Sequence, residues 1–394
     1  MQSLAYIFKQ NGIFKLRFGN KFIVCVFKHE NIQNLLFSNN NICKSTEYSF
    51  LEDWIGKGLL TSSDSEWKNQ RKELTIEIFH RKNFNHFIDI INCIGNEHFI
   101  DNHIDPEINL AIPIICVLAK CFFNYDFLNI KSVDKYFNLM HSLAGKFAER
   151  ALSLSLWFDR VYKLSTTGQE YYRQLSELNV ITEEISKSDN VLSNKFSSMK
   201  SKKMIIHQIN TLLFAGHDTT SIVLSWILYY LGLHQEHQTE IYKECIENIK
   251  NIKNINLKDL SKLIKYEQFI QEVLRLHPPV PMIGRKITKE ITISNQVIPV
   301  GTMVYVFIDQ IQIENCKNPQ SFNPNRKQQN MLPFSIGPRN CIGKSFALLL
   351  LKIFVIKIIL KYNIYSKQID PNGIQYNITI TPSEPIQLSF IERQ

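Results

Sequence analysis

Cys341 has more chemistry written around it than any other residue in the sequence. It lies in the run Phe334 to Gly343 (FSIGPRNCIG), with Gly337 and Arg339 before it and Gly343 after it. A long apolar helical run, Lys344 to Leu360, follows at once. A cysteine at the mouth of a helix has its thiolate favoured by the helix dipole and by free backbone N–H groups. The glycines let the backbone approach a large flat ligand, and an arginine two residues before the sulfur reaches an acidic group on that ligand's rim. A soft anionic axial ligand, hydrogen bonds to its sulfur and cations for rim carboxylates are what a cysteine-ligated haem needs.

The elements that must position this loop can be read along the chain. The first 60 residues alternate short apolar runs with Gly and Asn turns, which predicts strands over Lys15 to Phe18 and Phe22 to Phe27 and a helix near Glu30 to Phe37. From about Ser65 to Ile185 the apolar positions recur at helical spacing. Ser186 to Lys203 is polar, Ser- and Lys-rich, and reads as a surface linker. A long helix over Thr211 to Leu233 follows, then helices over about His237 to Ile249 and Leu257 to Arg275. Pro278, Pro279 and Pro281 end that helical stretch. Residues 285–308 are rich in β-branched side chains, and a Pro/Asn loop over 315–333 leads into the cysteine run. No internal repeat is evident. The expected architecture is one mixed α+β domain over residues 1–394, mainly α, with a minor β-sheet region built from both ends of the sequence.

Composition narrows the class. A hydrophobic fraction of 44% over 394 residues is that of a globular chain with a sizeable core. The eight cysteines are scattered with no CxxC pair, which suits a reducing compartment better than a disulfide framework. The net charge of +9 comes largely from lysine. No basic stripe with interleaved aromatics accompanies it, so nucleic-acid binding is not expected. Lys68, Lys72, Lys344 and Lys352 lie near the elements around Cys341 and are placed to attract an acidic electron-donor protein. A merely solvated basic surface explains them equally well. Thr211 to Leu233 has the length of a membrane span but carries His217, Asp218, Thr219 and Thr220 at its middle. Lys352 and Lys357 break the apolar run before Leu360, so both stretches read as buried core helices. The N-terminus shows no charged-then-apolar signal region.

The cysteine run resembles the signature F-x-x-G-x-R-x-C-x-G of the cytochrome P-450 (haem-thiolate monooxygenase) superfamily, through Phe334, Gly337, Arg339, Cys341 and Gly343, with Ala347 fitting its usual extension. Other motifs follow in the superfamily's order. Ala215-Gly216-His217-Asp218-Thr219-Thr220 resembles its oxygen-activating segment. Read alone, this stretch is a kinked helix with back-bonded threonines. Beside the cysteine motif, the resemblance makes Ala215 and Gly216 the small pair that passes close over the haem. Thr219 becomes the hydroxyl for bound oxygen, and Asp218 the proton relay. His217 reads as a structural histidine. Glu272-Val-Leu-Arg275 is a helical i,i+3 pair that ordinarily decorates a solvated face. With Leu276-His277-Pro278-Pro279 after it and Phe322-x-Pro324-x-Arg326 beyond, the resemblance makes Glu272, Arg275 and Arg326 a buried structural triad.

Trp67 and Arg71 stand one helical turn apart, so both can face one haem propionate. Arg285 stands where relatives carry another propionate-contacting arginine. Buried carboxylates need such partners, and Arg71, Arg285 and Arg339 are expected to supply them. Trp67 is equally readable as a core aromatic.

The wording is most similar to family-four cytochromes, in Glu47 to Trp54, Gly58 to Ser62, Trp67 to Arg71, FAGHDTTS and PFSIGPRNCIG. The resemblance implies haem b (iron protoporphyrin IX), O2, a lipophilic substrate and electrons from NADPH-cytochrome P-450 reductase, with cytochrome b5 as a further partner. It places the enzyme on the cytosolic face of the endoplasmic reticulum membrane.

Four departures accompany it. The anchoring helix of microsomal relatives is not seen in this sequence, so either peripheral membrane contact or an incomplete sequence is expected. Ala215 stands where many family-four members carry the glutamate that esterifies the haem, so non-covalent haem is expected. The Ile185 to Lys203 segment is shorter than usual. The stretch between Arg326 and Met331 is cut, and Ile313-Glu-Asn replaces a histidine-containing run. A non-catalytic haem- or lipid-binding relic is the alternative from another class. A haem-thiolate isomerase or peroxide-using enzyme would share the cysteine motif without needing the Asp218-Thr219 pair.

Overall fold

The computed structural model describes residues 12–18, 21–101, 110–188, 201–314, 316–327, 330–367, 373–376 and 378–394. Among them, the helices longer than two turns are α1 (Asp64–Glu77), α2 (Phe84–Asn96), α3 (Ala111–Phe123), α4 (Ile130–Leu152), α5 (Thr166–Lys187), α6 (Lys202–Leu233), α7 (Gln235–Asn248), α8 (Ile264–Leu276) and α9 (Lys344–Lys361). The fold is mainly helical with small sheets, as the sequence predicts.

The N-terminal strands β1 (Ile13–Phe18) and β2 (Lys21–Val26) form an antiparallel pair. They join β3 (Met282–Lys286) and β6 (Met303–Phe307) in a sheet ordered β1-β2-β6-β3, with β2 parallel to β6 and β6 antiparallel to β3. Both ends of the sequence therefore build this sheet. Between its last two strands lies the small hairpin β4 (Ile291–Ile293) and β5 (Gln296–Ile298). After α9 come β7 (Tyr362–Ser366), the hairpin β8 (Ile374–Tyr376) and β9 (Ile380–Pro382), and β10 (Leu388–Glu392), which pairs with β7.

Helix ends follow local chemistry. Asn129 caps α4 through a reciprocal bond with Ser132, and Ser201 caps α6 at the Met204 N–H. The prolines after Leu276 stop α8, and β3 begins directly beyond them. The helix predicted over Leu257 to Arg275 is two helices. Leu257–Leu260 is capped by Asn256, and α8 restarts at Ile264. The carboxylate of Glu244 on α7 accepts from the N–H groups of Lys265 and Tyr266 (2.8 and 3.1 Å), which caps α8 from a distant element. The stretch read as a linker lies mostly outside the described residues. On either side of it α5 continues to Lys187 and α6 begins at Lys202.

The core gathers around α6, α9, α3 and α2, with Leu213, Ile227, Phe354 and Ile358 fully covered. Lys357 is also fully buried, and its ammonium donates to Asn96 Oδ1 (2.6 Å) and the Ile252 carbonyl (2.7 Å). Those bonds let a charge lie inside an apolar helix. Among the described residues no helix is long and apolar enough to cross a membrane. None of the eight cysteines forms a disulfide.

Candidate haem site

The cysteine loop folds back on itself before α9. The Cys341 N–H donates to the Phe334 carbonyl (2.9 Å) and the Asn340 N–H to that of Gly337 (3.1 Å). Gly337 has a φ of 75°, and a Cβ there would lie 1.9 Å from the Leu36 carbonyl oxygen, so only glycine fits. Gly343 is under no such pressure: an added Cβ would meet Phe79 at 3.7 Å and the Cys341 sulfur at 4.0 Å, both ordinary contacts. Its contribution is its N–H. The amides of Gly343 and Lys344, the Arg71 guanidinium and the Lys344 ammonium all favour the Cys341 thiolate. Burial acts more strongly and holds the free thiol above its ordinary pKa. A metal cation at the sulfur reverses that balance, since coordination takes the thiolate form. Among the described residues no group of three or more His, Cys, Asp or Glu side chains could hold a metal. A lone cysteine is, however, the protein ligand that a cysteine-ligated haem iron requires.

Arg71 and Trp67 project from α1 but take different partners. Arg71 donates from Nη1 to the Asn340 carbonyl and from Nη2 to Asn340 Oδ1 (both 2.7 Å), which ties α1 to the residue before Cys341. Trp67 is buried with the Arg339 guanidinium 4.5 Å over its ring. Arg339 donates to the carbonyls of Ile42 (3.1 Å), Leu59 (3.1 Å) and Ser62. Arg285 is 2% exposed, and the acceptor it finds is the Gly284 carbonyl next to it (3.0 Å). Burial pulls Arg71, Arg285 and Arg339 toward their neutral forms, and Arg285 adds to the effect on Arg339. Buried guanidinium charge of this kind is stable only beside anions, and two carboxylates on a macrocycle rim fit the need.

Helix α6 carries the second half of the constellation. Ala215 is exposed although it lies midway along a core helix, and the Cys341 thiol also keeps accessible surface. Both residues are thus open to an apolar ligand. Gly216 faces elsewhere: a Cβ there would stand 2.9 Å from Leu118 Cδ1, so this glycine admits α3. The Thr219 hydroxyl donates back to the Ala215 carbonyl (2.9 Å), leaving its oxygen as an acceptor. Asp218 Oδ2 accepts from the buried Thr379 hydroxyl (3.0 Å), which arrives on the segment before β9. No sequence signal marked Thr379, because the bond joins residues 161 positions apart. His217 hydrogen-bonds the Leu213 carbonyl (2.8 Å) with Phe137 and Phe214 edge-on to its ring, and burial lowers its pKa.

Glu272 is fully buried and brings Arg275 and Arg326 together. Arg275 donates from Nε and Nη2 to its two oxygens (2.8 Å each), and Arg326 Nε donates at 3.3 Å. The Asn323 N–H adds a fourth bond at 3.0 Å. Both arginines also hold carbonyls of residues 317–321, so the carboxylate pins that loop against α8.

Of the lysines read as electron-donor contacts, Lys352 is engaged by Glu267 and the Leu260 carbonyl, while Lys68 and Lys72 are exposed. A groove of about 790 Å³ runs beside Phe334, Lys344 and Leu348 and reaches neither Cys341 nor Thr219.

Comparison with known proteins points to one family. A family model described as Cytochrome P450 matches residues 1–390. Cytochrome P450 4V2 of Mus musculus is 27% identical, covering 100% of this chain and 85% of that protein. Cytochrome P450 4c3 of Drosophila melanogaster is 27% identical over 90% of this chain and 76% of its own length. Cytochrome P450 4c21 of Blattella germanica is 27% identical, with coverages of 94% and 84%.

Proposed function

The chain belongs to the cytochrome P450 family, as a haem-thiolate monooxygenase with non-covalently bound haem b, and from that premise we propose how its residues divide the work. Cys341 would ligate the iron, and Arg71, Arg285, Arg339 and Trp67 would hold the haem through its carboxylates. Phe334, Gly343 and Ala215 would shape the two sides of its pocket, and Gly216 lets α6 come close to α3 there. When bound, the haem supplies the iron at which dioxygen is activated.

The chain's own residues then govern protons and water. Thr219 presents a hydroxyl oxygen beside Ala215, the exposed position of α6. Asp218 holds a proton-accepting carboxylate one residue earlier, and Thr379 fixes that carboxylate's orientation. The apolar core around α6 and α3 excludes bulk water and favours a lipophilic substrate. Glu272, Arg275 and Arg326 support the loop before the cysteine and touch no reacting atom.

Residues 1–394 act as one catalytic domain in this reading. Electrons come from NADPH-cytochrome P-450 reductase, with cytochrome b5 as an auxiliary donor, on the cytosolic face of the endoplasmic reticulum. The observation that carries the reading is the Cys341 thiol, met by the Gly343 and Lys344 amides at the mouth of α9 and by Arg71. The relic alternative is not favoured, since the acid, hydroxyl and triad partners are all engaged.

The test is reductase-driven turnover with oxygen uptake and product measured together. In Thr219→Ala, oxygen uptake should outrun product. Tight coupling in that variant removes the proton-handling role, and turnover with peroxide but never with reductase favours the peroxide-using rival.

A further inference from the structure

The groove of about 790 Å³ beside Phe334 is lined by groups that the haem site does not use. Its apolar lining joins Met331 and Pro333, which follow the shortened stretch after Arg326, to Ile270 and Leu274 of α8 and Leu348 of α9. Ligand pockets run to about 300–1,000 Å³, so one small molecule fills such a space.

Four charged side chains line it: Arg81, Lys344, Lys352 and Glu267. Lys352 and Glu267 pair with each other. Arg81 and Lys344 are exposed, and neither is paired with a carboxylate among the described residues. The Lys344 ammonium instead lies 5.7 Å from the centre of the Phe334 ring. Ser335 also lines the groove, and its hydroxyl is shielded from water with no hydrogen-bond partner among the described residues. A surplus of two cations and an unanswered hydroxyl thus border an apolar trough.

We propose that this groove binds a free single-chain anionic amphiphile, with its carboxylate on Arg81 and Lys344 and its hydrocarbon chain along Met331, Ile270 and Leu348. A neutral apolar ligand would leave both cations unanswered. A small polar anion would leave the apolar lining wet.

The groove reaches neither Cys341 nor Thr219, so its occupant is not the molecule being oxidised. It does border Lys344 and Lys352, two of the lysines placed to attract an acidic electron donor. It also borders Phe334, whose carbonyl holds the Cys341 N–H (2.9 Å). An amphiphile in the groove would therefore neutralise part of the basic surface and slow electron entry. That consequence rests on the proposed function, whereas the binding site does not.

The test exposes the haem-loaded chain to dodecanoic acid carrying a diazirine at its far end, below its micelle concentration, and maps the photolabel by peptide mass spectrometry. Label should fall on the peptides with Met331 and Leu348, saturate, and fade under excess unlabelled dodecanoate. The methyl ester should label them more weakly. Arg81→Gln/Lys344→Gln should raise the half-saturating concentration about five- to tenfold, the scale of two exposed ion pairs. Ser345→Trp puts bulk into the groove from an exposed position and should abolish the label there. Label confined to α6 would mean that the acid enters only the substrate side, and label that never saturates would mean detergent-like coating; either overturns the proposal. Equal labelling by acid and ester, or an unmoved double variant, overturns it too. A groove that added reductase protects but the acid never saturates is a protein face, which also overturns it. Electron entry is read separately, as reductase-driven reduction under carbon monoxide. Dodecanoate should slow it in wild type and not in Ser345→Trp. Saturable groove labelling without that difference keeps the site and removes its consequence. Wild type that the reductase never reduces counts against the proposed function and leaves the labelling result intact.

Discussion

Removing the Glu272 carboxylate should destabilise the chain by leaving Arg275 charged and unpaired in the core. Arg275 is 1% exposed and gives two of its hydrogen bonds to Glu272. Breaking a buried pair from one side costs about 3–5 kcal/mol. That is a large share of a total stability of about 5–15 kcal/mol. With an unfolding entropy of about 2.1 cal/mol/K per residue, 394 residues give about 0.8 kcal/mol/K, so Glu272→Ala should lower Tm by about 4–6 °C. The assay is thermal unfolding followed by far-UV circular dichroism on the haem-free chain, so that haem loss does not contribute. Glu272→Ala/Arg275→Leu should recover part of the loss, because the unpaired charge is gone while Arg326 keeps its carbonyl partners near solvent. A single variant within about 1 °C of wild type, or a double variant less stable than the single, would refute the argument. The exposed Arg173–Glu170 pair is the contrast: Glu170→Gln should leave Tm unchanged.

Other outcomes follow from the same contacts. Asp218→Asn and Thr379→Val should slow reductase-driven turnover with little change in substrate binding, and the double variant should be no slower than the worse single one. Additive losses would mean that Thr379 does not act through Asp218. Gly216→Val forces a side chain into Leu118 and should cost about 1–3 kcal/mol in denaturant unfolding, with partial recovery in Gly216→Val/Leu118→Ala. His277 stacks on Trp226 at 3.6 Å and bonds the Tyr230 hydroxyl (2.9 Å), and burial pushes its pKa down to about 3. The unfolded chain therefore binds a proton that the folded one refuses. Stability should fall by up to about 1.4 kcal/mol per pH unit as pH drops from about 6.5 toward 3, and His277→Phe should flatten that slope in pH-dependent unfolding.

The legible parts of this molecule were those written in local sequence. The cysteine loop, the apolar helix behind it and the AGHDTT helix could be placed because glycine, proline and helical periodicity act within a few residues. Both N-terminal strands were visible for the same reason. The boundaries that were missed depended on distant partners. The break at Ser261–Leu263 is fixed by Glu244 capping α8 from another helix. Ser201, a local cap for α6, was hidden in a Ser- and Lys-rich run that reads as linker.

In the site, charge type was readable but pairing was not. Trp67 and Arg71 share a helical turn, yet one lies against Arg339 and the other binds Asn340, because the cysteine loop approaches α1 at two levels. The space that Gly216 leaves is bounded by Leu118, a contact that no local signal announces. Thr379 reaches Asp218 only because segments far apart in sequence meet, and nothing in its local sequence reports that.

The most direct test of the central claim is the reduced, carbon-monoxide difference spectrum of the purified chain supplied with haem. Thiolate ligation by Cys341 predicts a strongly red-shifted Soret band that Cys341→His abolishes while the variant still binds haem. A Soret band of histidine or neutral-thiol type in the wild-type chain, or a red-shifted band that survives in Cys341→His, would contradict it.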